Sequence, residues 1–493
     1  MKQLMKLYLV MLILTTTLFA QAGTKLIGFN AQTIGRAGTS IGNFDSNELM
    51  MTNPAGISFL KKSSLDLDLS FMFPTLHFKN NLNDIDGDKN TFPLPTVSYV
   101  NNYDDKFSWG IGLFTAGGMG ADFKLKHALY GTALQEYHSK LALMQGGISA
   151  AYKFNENLSV GVSAHLVYSM LEFAMPFSLN PLSMAGVANP MTGMTFGQMF
   201  AAPNSVGGFG YTEVTASAKM NDLSALGFNG KIGLAYKVSD ELSFGLSYSS
   251  PIDLTYKNGT ATMDMTQQLN DAFGKAVMGW MMQNPGKSQQ EAQAAIMGMF
   301  AQLGIDMSKG VVANYDLNVD LSFPQIIGFG ISYKPMSDLK LSSDVEILSW
   351  ESAFDNMTLK LSNGKNANIN KMMGNNGAFD IEFPLKWKNS VLVKIGAEYC
   401  VTKELVLRGG FAHNQNPVPE STIFPVFPAI VENHLTIGAG YKLSENFIVN
   451  AAFEMGLNNS LKASNPSLIA NEYSNSTSEL ATTLIHFSFS YSF

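Results

Sequence analysis

Residues 484–493, the last ten of the chain, read LIHFSFSYSF. Aromatic side chains alternate there with serines, so that Phe487, Phe489 and Phe493 share one face with Tyr491. An alternation of period two is typical of a β-strand with one apolar and one polar face. Residues 64–73, SLDLDLSFMF, repeat the pattern, with leucine and phenylalanine on one face and aspartate on the other. Amphipathic strands are therefore predicted at residues 64–73 and at residues 484–493.

The segment from Lys386 to Tyr399 shows the same alternation in the interior of the chain. One face is predicted to meet lipid, and it consists of Trp387, Val391, Val393, Ile395 and Tyr399. The other face is predicted to meet the inside of a barrel, and it carries Lys388, Lys394 and Glu398. Charged residues on one face only indicate a wall between an apolar and a polar environment.

A recurring short segment separates these strands: a tyrosine, a polar turn, and then leucine or phenylalanine. It occurs at residues 152–158, 236–242, 333–339, 399–405 and 441–447, with a looser copy at 99–107. Six tight turns join twelve strands, and the strands at residues 64–78 and 484–493 bring the count to 14. An even number of strands with short turns on one side is typical of an outer-membrane β-barrel, with the tyrosines in an aromatic girdle. A soluble β-sandwich is the alternative, although sandwiches rarely need so many strands.

Composition and the N-terminus fit an exported membrane protein. Residues 1–22 have the lysines, the apolar run and the Ala20-Gln21-Ala22 site of a signal peptide, so we expect the mature chain to begin at Gly23. Charged residues make up 14% and the net charge is −7, which argues against a nucleic-acid partner. Cys400 is the single cysteine, so no internal disulfide is possible. No later segment is apolar enough for a membrane helix, which leaves a closed barrel as the membrane-spanning form.

The connections on the other side of the predicted barrel are long, and we expect them outside the cell. They are Thr115 to Ser139, Phe173 to Asn221, Tyr256 to Leu321, Glu351 to Pro384 and Leu457 to Leu480. Within the third, residues 263–309 change to helical spacing, and Ser288 to Glu291 is a capping box. Its aromatic and methionine side chains either pack on each other or form an exposed apolar groove that binds ligand. The candidate groove residues are Phe273, Trp280, Met281 and Phe300.

Residues 28–56, GFNAQTIGRAGTSIGNFDSNELMMTNPAG, fit neither the strand nor the helix period. They precede the first strand, and we interpret residues 23–63 as a hatch inside the barrel, followed by the barrel itself at residues 64–493. Asn53, Pro54, Ala55 and Gly56 are expected to form its last bend. Arg36 is interpreted as a tie between the hatch and carboxylates of the wall, such as Asp66 or Asp68.

The sequence resembles the FadL/TodX family of outer-membrane transporters of long-chain fatty acids and other hydrophobic compounds. The resemblance rests on the hatch with Gly35-Arg36-Ala37, the 14 strands, the helical loop insertions and a C-terminal third. Motifs of that third are Trp387-Lys388-Asn389-Ser390, Arg408-Gly409-Gly410, Asn416-Pro417-Val418-Pro419 and His434-Leu435-Thr436-Ile437-Gly438. The terminal Phe493 also resembles the signal that the barrel assembly machinery binds. Both the assembly machinery and outer-membrane lipid are therefore expected partners.

The family resemblance implies uptake by diffusion. Ligand would be captured by the outer loops, would move to a pocket in the lumen, and would leave sideways into the membrane where the third strand bends inward. Here the third strand is predicted from Lys106 to about Thr115. Glycines permit a bend or bulge at that place, and they are Gly110, Gly112, Gly117 and Gly118. Glycines are also common in barrel strands without any such role.

Arg36 and Arg408 are the only arginines in the chain, and the alternation directs Arg408 into the lumen. Its guanidinium could bind the carboxylate of a fatty acid, assisted by Lys394 on the neighbouring strand. The alternative is a structural ion pair with Glu398, Glu404 or Glu432. The scattered histidines, the lack of a phosphate loop and the lack of metal-ligand spacing predict neither an enzyme nor a cofactor. An aromatic-hydrocarbon channel and a structural or adhesive barrel remain alternative functions.

Overall fold

The computed structural model describes residues 23–493, so the predicted signal peptide lies outside the described residues. Fourteen antiparallel strands form one closed barrel, because the last strand pairs with the first along its full length, from Ser64–Ser492 to Lys79–Thr477. The strands, β1 to β14 in chain order, are Ser64–Lys79, Phe92–Asn102, Phe107–Lys126, Leu134–Lys153, Leu158–Leu179, Val214–Lys237, Leu242–Ser249 with Ile252–Asp264, Val312–Phe323 with Ile326–Met336, Leu339–Leu348 with Asn356–Ser362, Phe379–Pro384 with Ser390–Cys400, Leu405–Asn414, Asn433–Lys442, Phe447–Lys462 and Thr477–Ser492. The predicted fold class is confirmed.

Helices occur in the N-terminal segment and in the long connections. They are α1 Ala31–Ile34, α2 Leu49–Thr52, α3 Phe196–Ala201, α4 Thr266–Gln283, α5 Gln289–Gln302, α6 Trp350–Ala353 and α7 Ala367–Met373. The capping box forms at the start of α5, where the Ser288 hydroxyl accepts from Glu291 N and the Glu291 carboxylate accepts from Ser288 N. No helix in residues 23–493 is long and apolar enough to cross a membrane.

The tight turns lie where the sequence predicts them, and the tyrosines that open them are exposed. They are Tyr152, Tyr236, Tyr333, Tyr399 and Tyr441. The alternation at both ends is also confirmed, because Leu67 and Phe489 are exposed while Asp68 and Ser488 are buried. In β10 the prediction is wrong at Trp387, which is 2% exposed. This residue lies between the two pieces of the strand and packs inward on Trp350, with 4.9 Å between ring centroids.

The strands are longer on the outer side than the sequence predicts. The third strand continues from Thr115 to Lys126, and its connection to β4 covers only residues 127–133. The reason is an inversion of the apolar face along the strands. In β8 the inner piece exposes Ile327 and Phe329, whereas the outer piece buries Tyr315 and Leu317 and exposes the polar residues between them. The outer half of the lumen is therefore lined by apolar side chains.

The connection between β11 and β12, residues 415–432, folds into the lumen and has neither helix nor strand. Its residues 422–431 are all buried. Four prolines, at 417, 419, 425 and 428, limit the backbone donors that it must satisfy. The wall supplies donors for its carbonyls: Lys388 N donates to Pro417 O over 2.8 Å, and the Asn459 amide donates to Ile430 O over 2.7 Å. We call residues 415–432 the inner loop.

Candidate functional site

The hatch segment, residues 23–63, lies inside the ring of strands and is folded around a buried glutamate. Glu48, 1% exposed, accepts from the backbone N–H groups of Phe29 and Asn30 over 2.9 and 3.2 Å and from the hydroxyl of Thr33. Burial raises the pKa of this carboxyl. Its hydrogen bonds connect the two halves of the segment, because they join the start of α1 to the turn before α2.

Arg36 contacts the barrel wall through a carboxylate other than those that the sequence analysis names. Its guanidinium lies 2.6 Å from Asp45 within the segment and 3.2 Å from Glu398 on β10, not beside Asp66 or Asp68. Lys340 pairs with the same two acids at 2.6 and 2.9 Å. The side chain of Arg36 is fully buried. Asp66 and Asp68 belong to another strand, β1, where the hydroxyl of Ser488 donates to Asp68.

Arg408 joins the same group of charges. Its Nε donates to Glu398 over 2.6 Å and its Nη1 donates to Asn450 over 2.9 Å. This is the structural ion pair that the sequence analysis leaves open beside a ligand role. Gly35 packs against the Arg408 side chain, since a Cβ at Gly35 would lie 3.1 Å from Arg408 Cβ. Arg408 therefore contacts the hatch segment and lines neither of the two pockets described below.

Lys394 is also part of the contact between wall and hatch segment. It is fully buried, its Nζ lies 2.6 Å from Glu346, and it donates to the carbonyls of Ile27 and Gly38 over 3.1 Å each. Glu346 in turn pairs with Lys25 of the hatch segment at 2.9 Å. All donors of Lys394 thus have partners within the protein, and none remains for a ligand headgroup.

The Asn53 to Gly56 bend is held against the wall by close backbone contacts. The Asn53 amide donates to Ile41 O over 2.8 Å and to Leu234 O on β6 over 3.0 Å. Pro54 opens a 3-10 helix, Pro54–Phe59, which is buried throughout. A Cβ at Gly161 of β5 would lie 2.4 Å from the backbone of this helix, so only glycine permits the contact. This end of the hatch segment is firmly packed.

A lower pocket lies between the N-terminal end of the hatch segment and the wall. Its cavity volume is about 80 Å³. Its lining is mainly apolar and includes Phe29, Met51, Leu143, Ile252, Phe323, Ile326 and Trp350. Three charged residues also line it: Lys25, Lys231 and Glu346.

Lys231 on β6 differs from the other two charged residues of the lower pocket. Lys25 and Glu346 pair with each other, whereas Lys231 Nζ donates to the hydroxyl of Ser249 over 2.9 Å. Within residues 23–493 no carboxylate forms an ion pair with Lys231 at 4 Å or less. A lysine Nζ has three donors, so Lys231 keeps donors that no carboxylate of residues 23–493 occupies.

An upper pocket with a cavity volume of about 50 Å³ lies in the outer half of the lumen. Its lining comes from β5 to β10 and is apolar apart from Thr262; it includes Phe177, Met184, Met220, Met263, Met265, Leu317, Leu359, Met373 and Ile381. The predicted groove residues Phe273, Trp280, Met281 and Phe300 are on α4 and α5, outside this lining. Phe273 and Phe300 pack together at 6.0 Å between ring centroids.

The third strand separates from its neighbour beside the lower pocket. Pairing of β3 with β2 ends at Phe114–Thr96, and a register shift against β4 follows between Thr115 and Gly117. Gly117 pairs instead with Lys25 of the hatch segment. Of the four predicted glycines, Gly117 and Gly118 thus lie at the bulge. Gly110 and Gly112 lie below it, where β2 and β3 remain paired.

The N-terminal end of the hatch segment fills the place beside this bulge. Gly118 N donates to Thr24 O over 3.2 Å, and a Cβ at Gly117 would lie 2.5 Å from the same carbonyl. On β2, Pro93 and Pro95 have no N–H to offer to β3. The strand pairing between β2 and β3 therefore ends at the level of the lower pocket, where the hydroxyl of Thr115 still donates to Pro95 O over 2.8 Å.

Sequence reasoning missed Lys231, Glu346 and the inner loop. Lys231 had a weak signal, because it is a charge on the inward face of β6, next to the exposed Ile232, but Lys237 on the same strand shares that signal. The inner loop had a weaker signal in its prolines. No pattern in the sequence brings Lys25 to Glu346, since the two residues are 321 positions apart and pair only in the closed barrel.

Comparison with known proteins places the chain in a family. A family model described as outer membrane protein transport protein (OMPP1/FadL/TodX) matches residues 12–493. The chain belongs to this family. As a FadL/TodX-family protein it is a transport protein of the bacterial outer membrane. This agrees with the resemblance inferred from the sequence.

Curated relatives of this FadL/TodX-family protein are distant. It is 23% identical over 258 residues to the long-chain fatty acid transport protein of Salmonella typhi, covering 50% of this chain and 54% of the relative. It is 21% identical over 415 residues to the 47 kDa outer membrane protein of Pasteurella multocida, covering 83% and 81%. The chain thus spans about half the length of the fatty acid transport protein that it matches.

Solved structures share the fold with the FadL/TodX-family protein described here. A FadL homologue of Pseudomonas aeruginosa superposes with a TM-score of 0.69 at 18% identity, covering 96% of this chain and 100% of the other. The toluene transporter TodX of Pseudomonas putida gives a TM-score of 0.67 at 18% identity, covering 95% and 99%. At this identity the similarity shows the fold alone.

Proposed function

We propose that this protein takes up long-chain fatty acids by diffusion, with the carboxylate bound by Lys231 in the lower pocket. The observation that carries the proposal is the position of Lys231 Nζ in an apolar cavity with a hydroxyl as its partner and no ion pair to a carboxylate of residues 23–493. Arg408 and Lys394 take no headgroup role in this proposal, because each already pairs with a buried acid.

The proposed route begins at the outer loops. Met278, Met282 and Met297 of α4 and α5 are exposed, and flexible thioethers suit a surface that captures varied apolar ligands. From there the ligand would enter the upper pocket, whose apolar lining fits an alkyl chain. It would then move to the lower pocket, where a carboxylate can meet Lys231.

Exit is proposed to be lateral, between β2 and β3. The lower pocket is lined by Ala116 and Gly117 at the bulge, next to the segment of wall that lacks pairing. Thr24 and Lys25 occupy that place, so a local movement of the hatch N-terminus would open it. The Asn53 to Gly56 bend can stay in place during this step.

The hydrophobic effect is sufficient to drive capture. Burial of apolar surface contributes about 25 cal/mol per Å², so a long alkyl chain that buries several hundred Å² gains several kcal/mol. Lys231 would then add selectivity for acids, since charge-assisted hydrogen bonds to a carboxylate are stronger than neutral ones.

The test compares uptake of radiolabelled oleate and toluene by cells that carry the protein, Lys231→Met or no protein. We expect Lys231→Met to lower oleate uptake and to leave toluene uptake unchanged. Lys219→Met is the matched control, because Lys219 is on the same strand but is exposed and pairs with Glu136 at 3.3 Å. Oleate uptake equal to that of cells without the protein would refute the proposed substrate.

An aromatic-hydrocarbon channel is the second candidate. The upper pocket favours it, because no charged residue lines that cavity and a neutral ring could occupy it. The toluene transporter TodX of similar fold adds support. In the same assay this function predicts uptake of toluene that does not depend on Lys231, with oleate uptake at background.

A further inference from the structure

The inner loop, residues 415–432, lies between the two pockets and places phenylalanine side chains in the lumen. Phe424 and Phe427 are buried, at 2% and 8% exposure. Neither residue lines the upper or the lower pocket. The ring of Phe424 contacts Phe383, and the ring of Phe427 contacts Trp387. The inner loop therefore connects, through ring contacts, the parts of the lumen that hold the two pockets.

A continuous series of aromatic rings runs through this loop. It starts at Phe177, which lines the upper pocket, and ends at Trp350, which lines the lower pocket. The centroid distances along the series are 5.7 Å for Phe177–Phe383, 5.4 Å for Phe383–Phe424, 6.3 Å for Phe424–Phe427, 5.9 Å for Phe427–Trp387 and 4.9 Å for Trp387–Trp350. We call these six residues the ring series. Its members from Phe383 onward are buried, so packed aromatic side chains fill the space along the series.

The loop is held firmly at its ends and lightly at its centre. Lys388 N donates to Pro417 O over 2.8 Å, and the Thr422 hydroxyl donates to Leu385 O over 2.6 Å. At the other end the Asn459 amide donates to Ile430 O. Between them, the hydroxyl of Ser139 donates to Val426 O from the opposite wall. Pro425 directly follows Phe424 and Pro428 directly follows Phe427, and neither proline has an N–H to donate.

We propose that the inner loop is an internal selectivity gate and that Phe424 and Phe427 determine which ligand cross-sections pass from the upper to the lower pocket. This inference rests on the proposed function, in that it assumes passage of a hydrophobic ligand between the pockets. Flat rings in contact can part by rotation and admit a linear chain between them. A bulky cage must displace two rings at once, which close packing of the interior resists.

The test uses tryptophan fluorescence as a report of arrival at the lower pocket. The chain has four tryptophans, and Trp109→Phe with Trp280→Phe leaves Trp350 and Trp387 at the lower end of the ring series. Quenching is followed after addition of 1-bromododecane, a linear probe, or 1-bromoadamantane, a bulky one. Both probes are neutral, so the result does not depend on Lys231.

We expect 1-bromododecane to quench faster than 1-bromoadamantane in the otherwise unchanged protein. Phe424→Ala should raise the rate for the bulky probe by about tenfold, because discrimination by the size of an apolar site is of that order, and should leave the linear probe nearly unchanged. Phe424→Trp should slow both probes. Phe123→Ala, which removes a buried ring that contacts Phe78 outside the ring series, is the control and should change neither rate.

Heat-modifiable migration of the barrel in gels verifies that each variant is folded. Equal rates for both probes in folded Phe424→Ala, Phe424→Trp and the parent would overturn the gate. If the neutral probes behave as expected while oleate is not taken up, the proposed fatty acid function fails and the gate stands.

Discussion

Arg36 and Arg408 donate to the same oxygen atom. Arg36 Nη1 lies 3.2 Å and Arg408 Nε lies 2.6 Å from Oε2 of Glu398. One arginine belongs to the hatch segment and the other to β11, so a single carboxylate on β10 joins the hatch segment to two neighbouring strands. Arg36 and Arg408 are the only arginines of the chain, so both of its guanidinium groups serve one structural contact.

Glu398→Gln should therefore destabilise the protein. Removal of the shared acid leaves two buried guanidinium groups facing a neutral amide, and loss of one partner from a buried ion pair costs about 3 kcal/mol. Urea unfolding in lipid vesicles measures this as a lower free energy of unfolding. Asp380→Asn, an exposed acid on the same strand, is the control. Equal free energies for the two variants would contradict the role given to Glu398.

The two ends of the hatch segment should differ in function. In a Cys400→Ser background, a disulfide between Asn53→Cys and Gly233→Cys would fix the packed bend. The two positions are close, because a Cβ at Gly233 would lie 2.0 Å from the side-chain oxygen of Asn53. A disulfide between Lys25→Cys and Gly117→Cys would fix the paired N-terminal end. We expect the first to spare oleate uptake and the second to block it. Each reduced variant serves as its own control, and a block by the Asn53 bridge would show that the whole hatch must move.

The connection between β13 and β14 should open as the pH rises. Glu472 lies in the connection between β13 and β14, where Tyr137 donates to it over 2.8 Å, and burial raises the pKa of its carboxyl to about 7. The folded form holds its proton more tightly than the unfolded form, so the stabilisation is complete below about pH 4.3 and declines as the pH rises to about 7.

Hydrogen exchange of residues 463–476 measures this effect. We expect faster exchange at pH 8 than at pH 5, after correction for the intrinsic rate. Glu472→Gln should exchange equally slowly at both values, because its amide stays neutral. A pH dependence that persists in Glu472→Gln would assign the effect to another group.

Much of the barrel could be predicted from the sequence, because in its membrane-facing part each strand has one apolar and one polar face. Leu67, Phe489 and the turn tyrosines follow that rule. Above the membrane the rule inverts, as at Tyr315 and Leu317 of β8, where apolar residues line the lumen and polar ones face water. The same period then has the opposite meaning, so the sequence pattern predicts loops where the outer strand ends lie.

The site was less predictable than the fold. Alternation directs Arg408 and Lys394 inward, but it does not tell whether an inward cation meets a ligand or an acid. The partners of these residues, Glu398 and Glu346, each come from the neighbouring strand. The hatch segment completes both contacts. Lys231 differs in that no carboxylate of residues 23–493 pairs with it in the closed barrel. The local sequence contains no signal for the absence of such a partner.

The most direct measurement is equilibrium binding of palmitate and methyl palmitate to the purified protein and to Lys231→Met. The account predicts that Lys231→Met weakens palmitate binding by about tenfold, as loss of a charge-assisted hydrogen bond does, and leaves methyl palmitate binding unchanged. Lys219→Met should bind both as the parent does. Equal affinity of the parent and Lys231→Met for palmitate would contradict the account.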